Sequence, residues 1–109
     1  MIVGMEVDKG IEIAGTSLQG YLTATYDEIV DVFGPPIRIY GDKTTCEWDI
    51  EFRVMTEDET DFEYVVATIY DWKMAPTVNS KYRWHIGGRN YQAVECVEKM
   101  MANQKLAEV

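Results

Sequence analysis

The stretch Cys46-Glu47-Trp48-Asp49-Ile50-Glu51-Phe52-Arg53-Val54 decides the fold, because apolar and charged residues alternate along its whole length. Such alternation puts the apolar side chains on one face of a β-strand and the charged side chains on the other. A strand of this kind is typical of an antiparallel sheet with one face on the core and one face in solvent. We therefore expect Glu47, Asp49 and Glu51 to form a solvated row.

The segments after this strand extend the sheet. Residues 56–61 form an acidic turn, and residues 62–72 carry apolar side chains on both faces, which predicts a central strand. A third strand is predicted over residues 81–86. The pair Gly87-Gly88 is expected to break this strand in a tight turn.

Two helices are predicted, one in each half of the chain. The tetrapeptide Thr25-Tyr26-Asp27-Glu28 has the form of a capping box, in which each outer side chain accepts from the other residue's backbone amide. Gly34 and the two prolines after it end this helix. Asn90 can cap a final helix from Tyr91 to about Ala107. This second helix is expected to cover the side of the sheet that carries Trp48, Tyr70 and Trp84.

The N-terminal residues are predicted to form a separate hairpin. Residues 2–7 and 10–14 are two short strands that turn at Asp8-Lys9-Gly10. Residues 15–20 are predicted to be a loop. The resulting fold class is α+β, with an antiparallel sheet of three or more strands packed against two helices in a single domain over residues 1–109.

The composition and charge of the 109 residues exclude several classes of protein. With 47% hydrophobic and 12% aromatic residues, the chain has the composition of a folded domain. A net charge of -9 opposes direct binding to nucleic acid and to anionic membranes. No apolar run approaches the ~20 residues of a membrane helix, and the start lacks a signal-peptide pattern. We expect a cytoplasmic protein with two free cysteines.

Neither catalysis nor cofactor binding is favoured by the residue pattern. One histidine and two distant cysteines offer no close set of nitrogen and sulfur ligands, so we expect no metal and no cofactor. No nucleophile elbow accompanies His85, the single histidine. We therefore expect a protein that acts by binding and is not an enzyme.

A basic segment interrupts this acidic chain. Residues 72–94 contain no acid, and their cations are Lys73, Lys81, Arg83 and Arg89. The turn Gly87-Gly88-Arg89-Asn90 precedes a predicted helix N-terminus, where backbone amides, the helix dipole and a guanidinium favour an anion. The alternative is that these cations balance acids on neighbouring strands.

We predict that this basic segment binds a small phosphate-containing ligand such as a nucleotide. Cations and backbone amides would contact the phosphate, and aromatic rings would stack on the base. A second copy of the chain is expected to complete such a pocket in a homodimer. The predicted ligand-binding residues are Lys81, Arg83, Trp84, His85, Gly87, Gly88, Arg89, Asn90 and Tyr91.

The acidic residues support an alternative function. Residues 42–71 hold ten acids against two basic residues. A surface of this charge can imitate a nucleic-acid backbone and dock on a basic protein. The predicted acidic interface consists of Glu47, Asp49, Glu51, Glu57, Asp58, Glu59 and Asp61.

Several segments resemble a family of small tailed-bacteriophage proteins. They are residues 15–21, 26–35, 48–52 and 67–73, and the most specific is the element Trp84-His85-Ile86-Gly87-Gly88. The resemblance implies a counter-defence protein in the host cell cytoplasm. Such a protein would sequester a nucleotide immune signal or inhibit a basic host defence protein.

Overall fold

One five-stranded antiparallel sheet and two helices make up the described part of the chain, as the sequence predicts for fold class. The computed structural model describes residues 1–37, 46–71 and 80–107. The strands are β1 (Ile2–Val7), β2 (Ser17–Ala24), β3 (Glu47–Met55), β4 (Phe62–Tyr70) and β5 (Tyr82–Gly88), and the helices are α1 (Tyr26–Phe33) and α2 (Gln92–Ala107). Their order in the sheet is β1-β3-β4-β5-β2, which makes β4 the central strand, as predicted.

Both helices pack on one face of the sheet, which we call the helix face. Trp48, Ile50 and Phe52 of β3 pair with Ile69, Ala67 and Val65 of β4, and all six side chains are buried there. From α1, Tyr26 packs on Trp48 with ring centroids 5.9 Å apart, and Phe33 packs on Phe52 at 6.3 Å. The helix α2 covers β4, β5 and β2 with buried residues that include Ala93, Val94, Val97 and Met101.

Tyr70 corrects one prediction about this packing. It pairs with Glu47 and His85, whereas its neighbour Ile69 pairs with Trp48. Because successive side chains of a strand point to opposite faces, Tyr70 lies on the face away from both helices. We call this the second face; the prediction that α2 covers Tyr70 together with Trp48 and Trp84 is wrong.

The helix α1 follows the sequence prediction closely. The Thr25 hydroxyl accepts from the Glu28 amide at 3.1 Å, and the Glu28 carboxylate accepts from the Thr25 amide at 2.9 Å. Gly34 ends the helix with a φ of 82°, a left-handed conformation that glycine adopts at low cost. Its carbonyl accepts from the indole Nε1 of Trp48 at 2.8 Å, which ties the helix end to β3.

The N-terminal hairpin is a wrong prediction. β1 pairs with β3, residues 10–14 form no strand, and residues 17–20 belong to β2 instead of a loop. β1 and β2 are therefore the two edges of the sheet, so residues 8–16 must pass across it. Arg89 alternates with the second-face residues of β5, and it bonds to this connection at Glu12 and Ala14. The connection consequently crosses the second face.

The glycine pair Gly87-Gly88 also lies elsewhere than predicted. β5 continues through both glycines, Gly87 paired with Thr68 and Gly88 with Ala67. A Cβ on Gly87 would collide with the Thr68 hydroxyl, and a Cβ on Gly88 would collide with Cβ of Ala93. These glycines thus permit close packing on the two faces and do not form a turn. The chain leaves the sheet after Gly88, and Asn90 Oδ1 accepts from the Gln92 amide at 2.9 Å where α2 begins.

Candidate functional site

The predicted ligand-binding residues do not converge on one pocket. Trp84 lies on the helix face, 1% exposed, where its indole donates to the carbonyl of Ala24 at 3.0 Å. Gly87 and Gly88 are buried strand residues. Tyr91 is 57% exposed and lies beyond the end of β5. The indole of Trp84, the two glycines and the ring of Tyr91 therefore lie in three different places and cannot contact one ligand together.

The described cations of the basic segment each have a role within the fold. Lys81 Nζ lies 2.7 Å from Glu28 Oε1, at the N-terminus of α1. The guanidinium of Arg83 lies 3.8 Å from the ring centroid of Tyr21. Arg89 donates from Nε to the carbonyl of Ala14 at 3.2 Å and from Nη2 to the carbonyl of Glu12 at 2.9 Å. Lys73 and Trp72 lie outside the described residues.

The Lys81 contact acts on the carboxyl group of Glu28. The hydrogen bond from Lys81 and then the bond from the Thr25 amide hold the pKa of Glu28 below its ordinary value of 4.5. The ion pair is half exposed, so its contribution to stability is small. Its position shows that Lys81 helps to fasten α1 beside β5.

Part of the predicted set does come together, in a row across the second face. Glu47, Tyr70, His85 and Tyr21 are register partners on four successive strands. His85 stacks on Tyr70 with ring centroids 5.3 Å apart, and it also lies 5.3 Å from Tyr21. The guanidinium of Arg83 also lies over the ring of Tyr21, and we call these four side chains, Tyr70, His85, Tyr21 and Arg83, the aromatic row.

Two side chains of the aromatic row, Tyr70 and His85, are partly buried. Burial, followed by the nearby charges of Glu47 and Tyr21, raises the pKa of Tyr70 above its ordinary value of 10.0, so this tyrosine stays neutral at physiological pH. The sequence pattern indicates His85 and Arg83 but not Tyr21 and Tyr70. Their membership depends on strand pairing over a separation of 64 residues between Tyr21 and His85, which no local pattern reveals.

The predicted acidic interface divides into two groups. Glu47, Asp49 and Glu51 lie on the second face along β3, but Asp49 is 0% exposed and the other two are half-buried. The prediction of a solvated row is therefore wrong. The connection over residues 8–16 begins beside this site, where the Asp8 amide donates to the carbonyl of Asp49 at 3.2 Å.

The second acidic group occupies the turn between β3 and β4. Asp58 accepts from the hydroxyls of Thr56 at 2.7 Å and Thr60 at 2.8 Å, and these bonds, with the bond from the Thr60 amide, lower its pKa below 3.8. Asp61 accepts from the amide of Phe62 at 2.8 Å. These two carboxylates organise the turn.

Four further carboxylates surround this turn, and we call them the acidic end. All four side chains are exposed, and none has a hydrogen bond or ion pair with any residue in the described ranges. The predicted acidic interface lacks two of them, Glu63 and Glu95, because they come from the start of β4 and the first turn of α2. The acidic end consists of Glu57, Glu59, Glu63 and Glu95.

An open cavity of about 440 Å³ lies beside the acidic end. One wall is a stripe of α2 at helical spacing, Gln92, Glu95, Cys96 and Lys99, and the other wall is the start of β1 with the β3–β4 turn. The cavity exists because the two helices leave this end of the helix face uncovered. None of the predicted nucleotide-binding residues lines it.

Comparisons with protein-family models, curated proteins and solved structures found no match for this chain. The resemblance to a bacteriophage family therefore stays a prediction. Among residues 1–37, 46–71 and 80–107, no three His, Cys, Asp or Glu side chains come close enough to hold a metal ion. The helices in the same residues lack the length and apolar composition for crossing a membrane.

Proposed function

We propose that this protein acts by binding, and that its acidic end docks on a basic surface of a partner protein in place of a nucleic-acid backbone. One observation carries the proposal. The carboxylates of Glu57, Glu59, Glu63 and Glu95 are exposed and have no partner among the described residues, whereas the described cations of the basic segment are engaged within the fold.

The physical basis is the cost of grouping like charges. Carboxylates that repel each other at one end of a domain reduce its stability, and a basic partner would relieve that repulsion. The field of such a group also speeds the encounter with a positively charged surface and suppresses encounters with acidic ones. The net charge of -9 over the whole chain strengthens both effects.

A second candidate function is the binding of a small anionic ligand, such as a nucleotide, at the aromatic row. The observation that favours it is the position of Arg83 above Tyr21, which is itself 41% exposed. A guanidinium that lies over a ring keeps the N–H groups at its own edge free, and these can donate to phosphate. The exposed ring of Tyr21 could stack on a base.

Residue-resolved NMR titration with two probes distinguishes these functions. A hexa-arginine peptide is expected to shift the amide signals of residues 56–63 and 92–99, because they surround the acidic end. ATP at the same concentrations is expected to leave them unchanged. Shifts confined to Tyr21, Arg83 and His85 upon addition of ATP, with no localised response to the peptide, would replace the proposed function by the second candidate.

A further inference from the structure

The cavity beside the acidic end is lined by apolar and charged side chains together, and polar surface makes up the larger part of its lining. Ile2 and Val54 are half-buried and pack against the main core, and Cys96 completes the apolar part. A volume of about 440 Å³ is large enough for a long side chain or a small organic molecule. The apolar surface that faces it would gain free energy from the burial of an aliphatic chain.

The charges at the margin of the cavity favour a cation. Glu57, Glu63 and Glu95 all line it, and none of them is paired within the described part of the chain. Lys99 is the cationic side chain of the lining, and the amino group of Met1 donates to the carbonyl of Met55 at 3.5 Å. Among the described residues around the opening, three carboxylates face two cationic groups, Lys99 and the amino group of Met1. Because the carboxylates are too dispersed to hold one metal ion, an organic cation fits the site better.

A buried cysteine lines the same cavity. Cys96 is 6% exposed, it forms no disulfide, and its Sγ has no hydrogen-bond partner among the described residues. Burial raises the pKa of this thiol above its ordinary value, and it outweighs the opposing charges of Lys99 and of the N-terminal amino group. The thiol is thus a neutral, polarisable part of the cavity wall and also a chemical reporter for its occupancy.

We propose that this cavity binds an organic cation with an aliphatic stem, its ammonium or guanidinium group among Glu57, Glu63 and Glu95 and its stem against Ile2, Val54 and Cys96. The inference rests on the proposed function, because the cation is then an arginine or lysine side chain of the partner protein. A free alkylamine would present the same chemistry without a partner.

The first test measures how ligands protect Cys96 from alkylation. Hexylguanidinium is expected to slow the reaction of Cys96 with iodoacetamide at least threefold at saturation, as followed by mass spectrometry of the intact chain and its peptides. Cys46 is buried outside the cavity and reports any general change in folding. Equal protection by hexanol or hexanoate would overturn the assignment of a cation site, since neither carries a positive charge.

Matched variants test the role of the carboxylates. Glu95→Gln is expected to weaken the binding of hexylguanidinium about fivefold by isothermal titration calorimetry, because one carboxylate at the opening is neutralised. Glu98→Gln removes an exposed charge from the same helix outside the cavity and is expected to leave the affinity within about twofold. An equal loss in both variants would overturn the proposal.

A comparison of two probes separates this inference from the proposed function. Protection of Cys96 by both hexa-arginine and hexylguanidinium supports insertion of a partner side chain. Binding of hexa-arginine without protection overturns the cavity inference and leaves the acidic end as a surface site. Protection by hexylguanidinium, with no binding of hexa-arginine, supports the cavity as a site for a free amine and contradicts the proposed function.

Discussion

The acidic end and strand β5 carry opposite charge, and the fold uses them in opposite ways. Just before β5, along it and just after it, Lys81, Arg83 and Arg89 contact a carboxylate, a ring and two carbonyl groups of the same chain. At the acidic end, Glu57 and Glu95 face solvent without a partner in the described residues. A cluster of charge therefore indicates a binding surface only where the fold does not already satisfy it.

The largest expected effect concerns the glycines of β5. Gly88→Ala is expected to lower the free energy of unfolding by about 1–3 kcal/mol, because the new methyl group collides with Ala93 and displaces α2. Chemical denaturation measures this loss. Gly4→Ala is the matched control, since its Cβ would meet the side chain of Arg53 at 3.4 Å, which can move. A Gly88→Ala variant as stable as the parent protein would contradict this packing role.

A smaller effect is expected for Arg89. Arg89→Ala removes the two hydrogen bonds that hold residues 8–16 on the second face, and should cost about 1–2 kcal/mol of stability. Arg89→Lys keeps the charge but loses the two-pronged geometry, so it should be destabilised almost as much. If Arg89→Ala is as stable as the parent protein but loses affinity for ATP, Arg89 is a ligand-binding residue. That result would contradict the statement that the fold already satisfies the cations around β5.

The ion pair of Lys81 should give a still smaller, pH-dependent effect. The pKa of Glu28 is lowered in the folded state, so the pair stabilises the protein above about pH 4.5, and the contribution disappears as the pH falls through the folded-state pKa. Lys81→Ala should therefore cost about 0.2–1 kcal/mol at pH 7 and almost nothing at pH 3. Denaturation curves at the two pH values measure the difference. A constant difference would show that Lys81 acts through packing and not through its charge.

At the acidic end the expected change in stability has the opposite sign. Glu59 has a φ of 59°, in the left-handed region that asparagine tolerates better than glutamate. Glu59→Asn should raise the free energy of unfolding by a few tenths of a kcal/mol while it weakens the binding of hexa-arginine. Thermal denaturation and calorimetry measure the two quantities on one sample. A variant that loses stability would show that the turn depends on the Glu59 side chain.

Local signals predicted the parts of the fold that depend on few residues. The capping box of α1 lies within Thr25–Glu28, and the alternation of β3 is visible in the sequence alone. The local sequence predicts a turn at Gly87-Gly88, because glycine is typical of turns. The reason for these glycines is instead the close approach of Thr68 from β4 and Ala93 from α2. Close packing between distant segments has no signature in the local sequence.

The candidate site was harder to predict for the same reason. Asp49 follows the alternation of a solvated row, and the sequence does not show that residues 8–16 cross the second face beside it. Glu63 and Glu95 come together only through the packing of α2 beside the β3–β4 turn. The spacing of Gln92, Glu95, Cys96 and Lys99 does mark one stripe of α2, so the sequence alone indicates the wall of the cavity that α2 forms.

The most direct test of the acidic end compares two triple variants of equal net charge. Glu57→Gln/Glu59→Gln/Glu63→Gln neutralises three of the four carboxylates of the acidic end, and Glu6→Gln/Asp27→Asn/Asp31→Asn neutralises three exposed acids elsewhere. Isothermal titration calorimetry with hexa-arginine at one ionic strength gives both affinities. We expect a loss of about tenfold in the first variant and of less than about twofold in the second. Equal losses would show that the overall charge attracts the peptide and that the acidic end is not a specific binding surface.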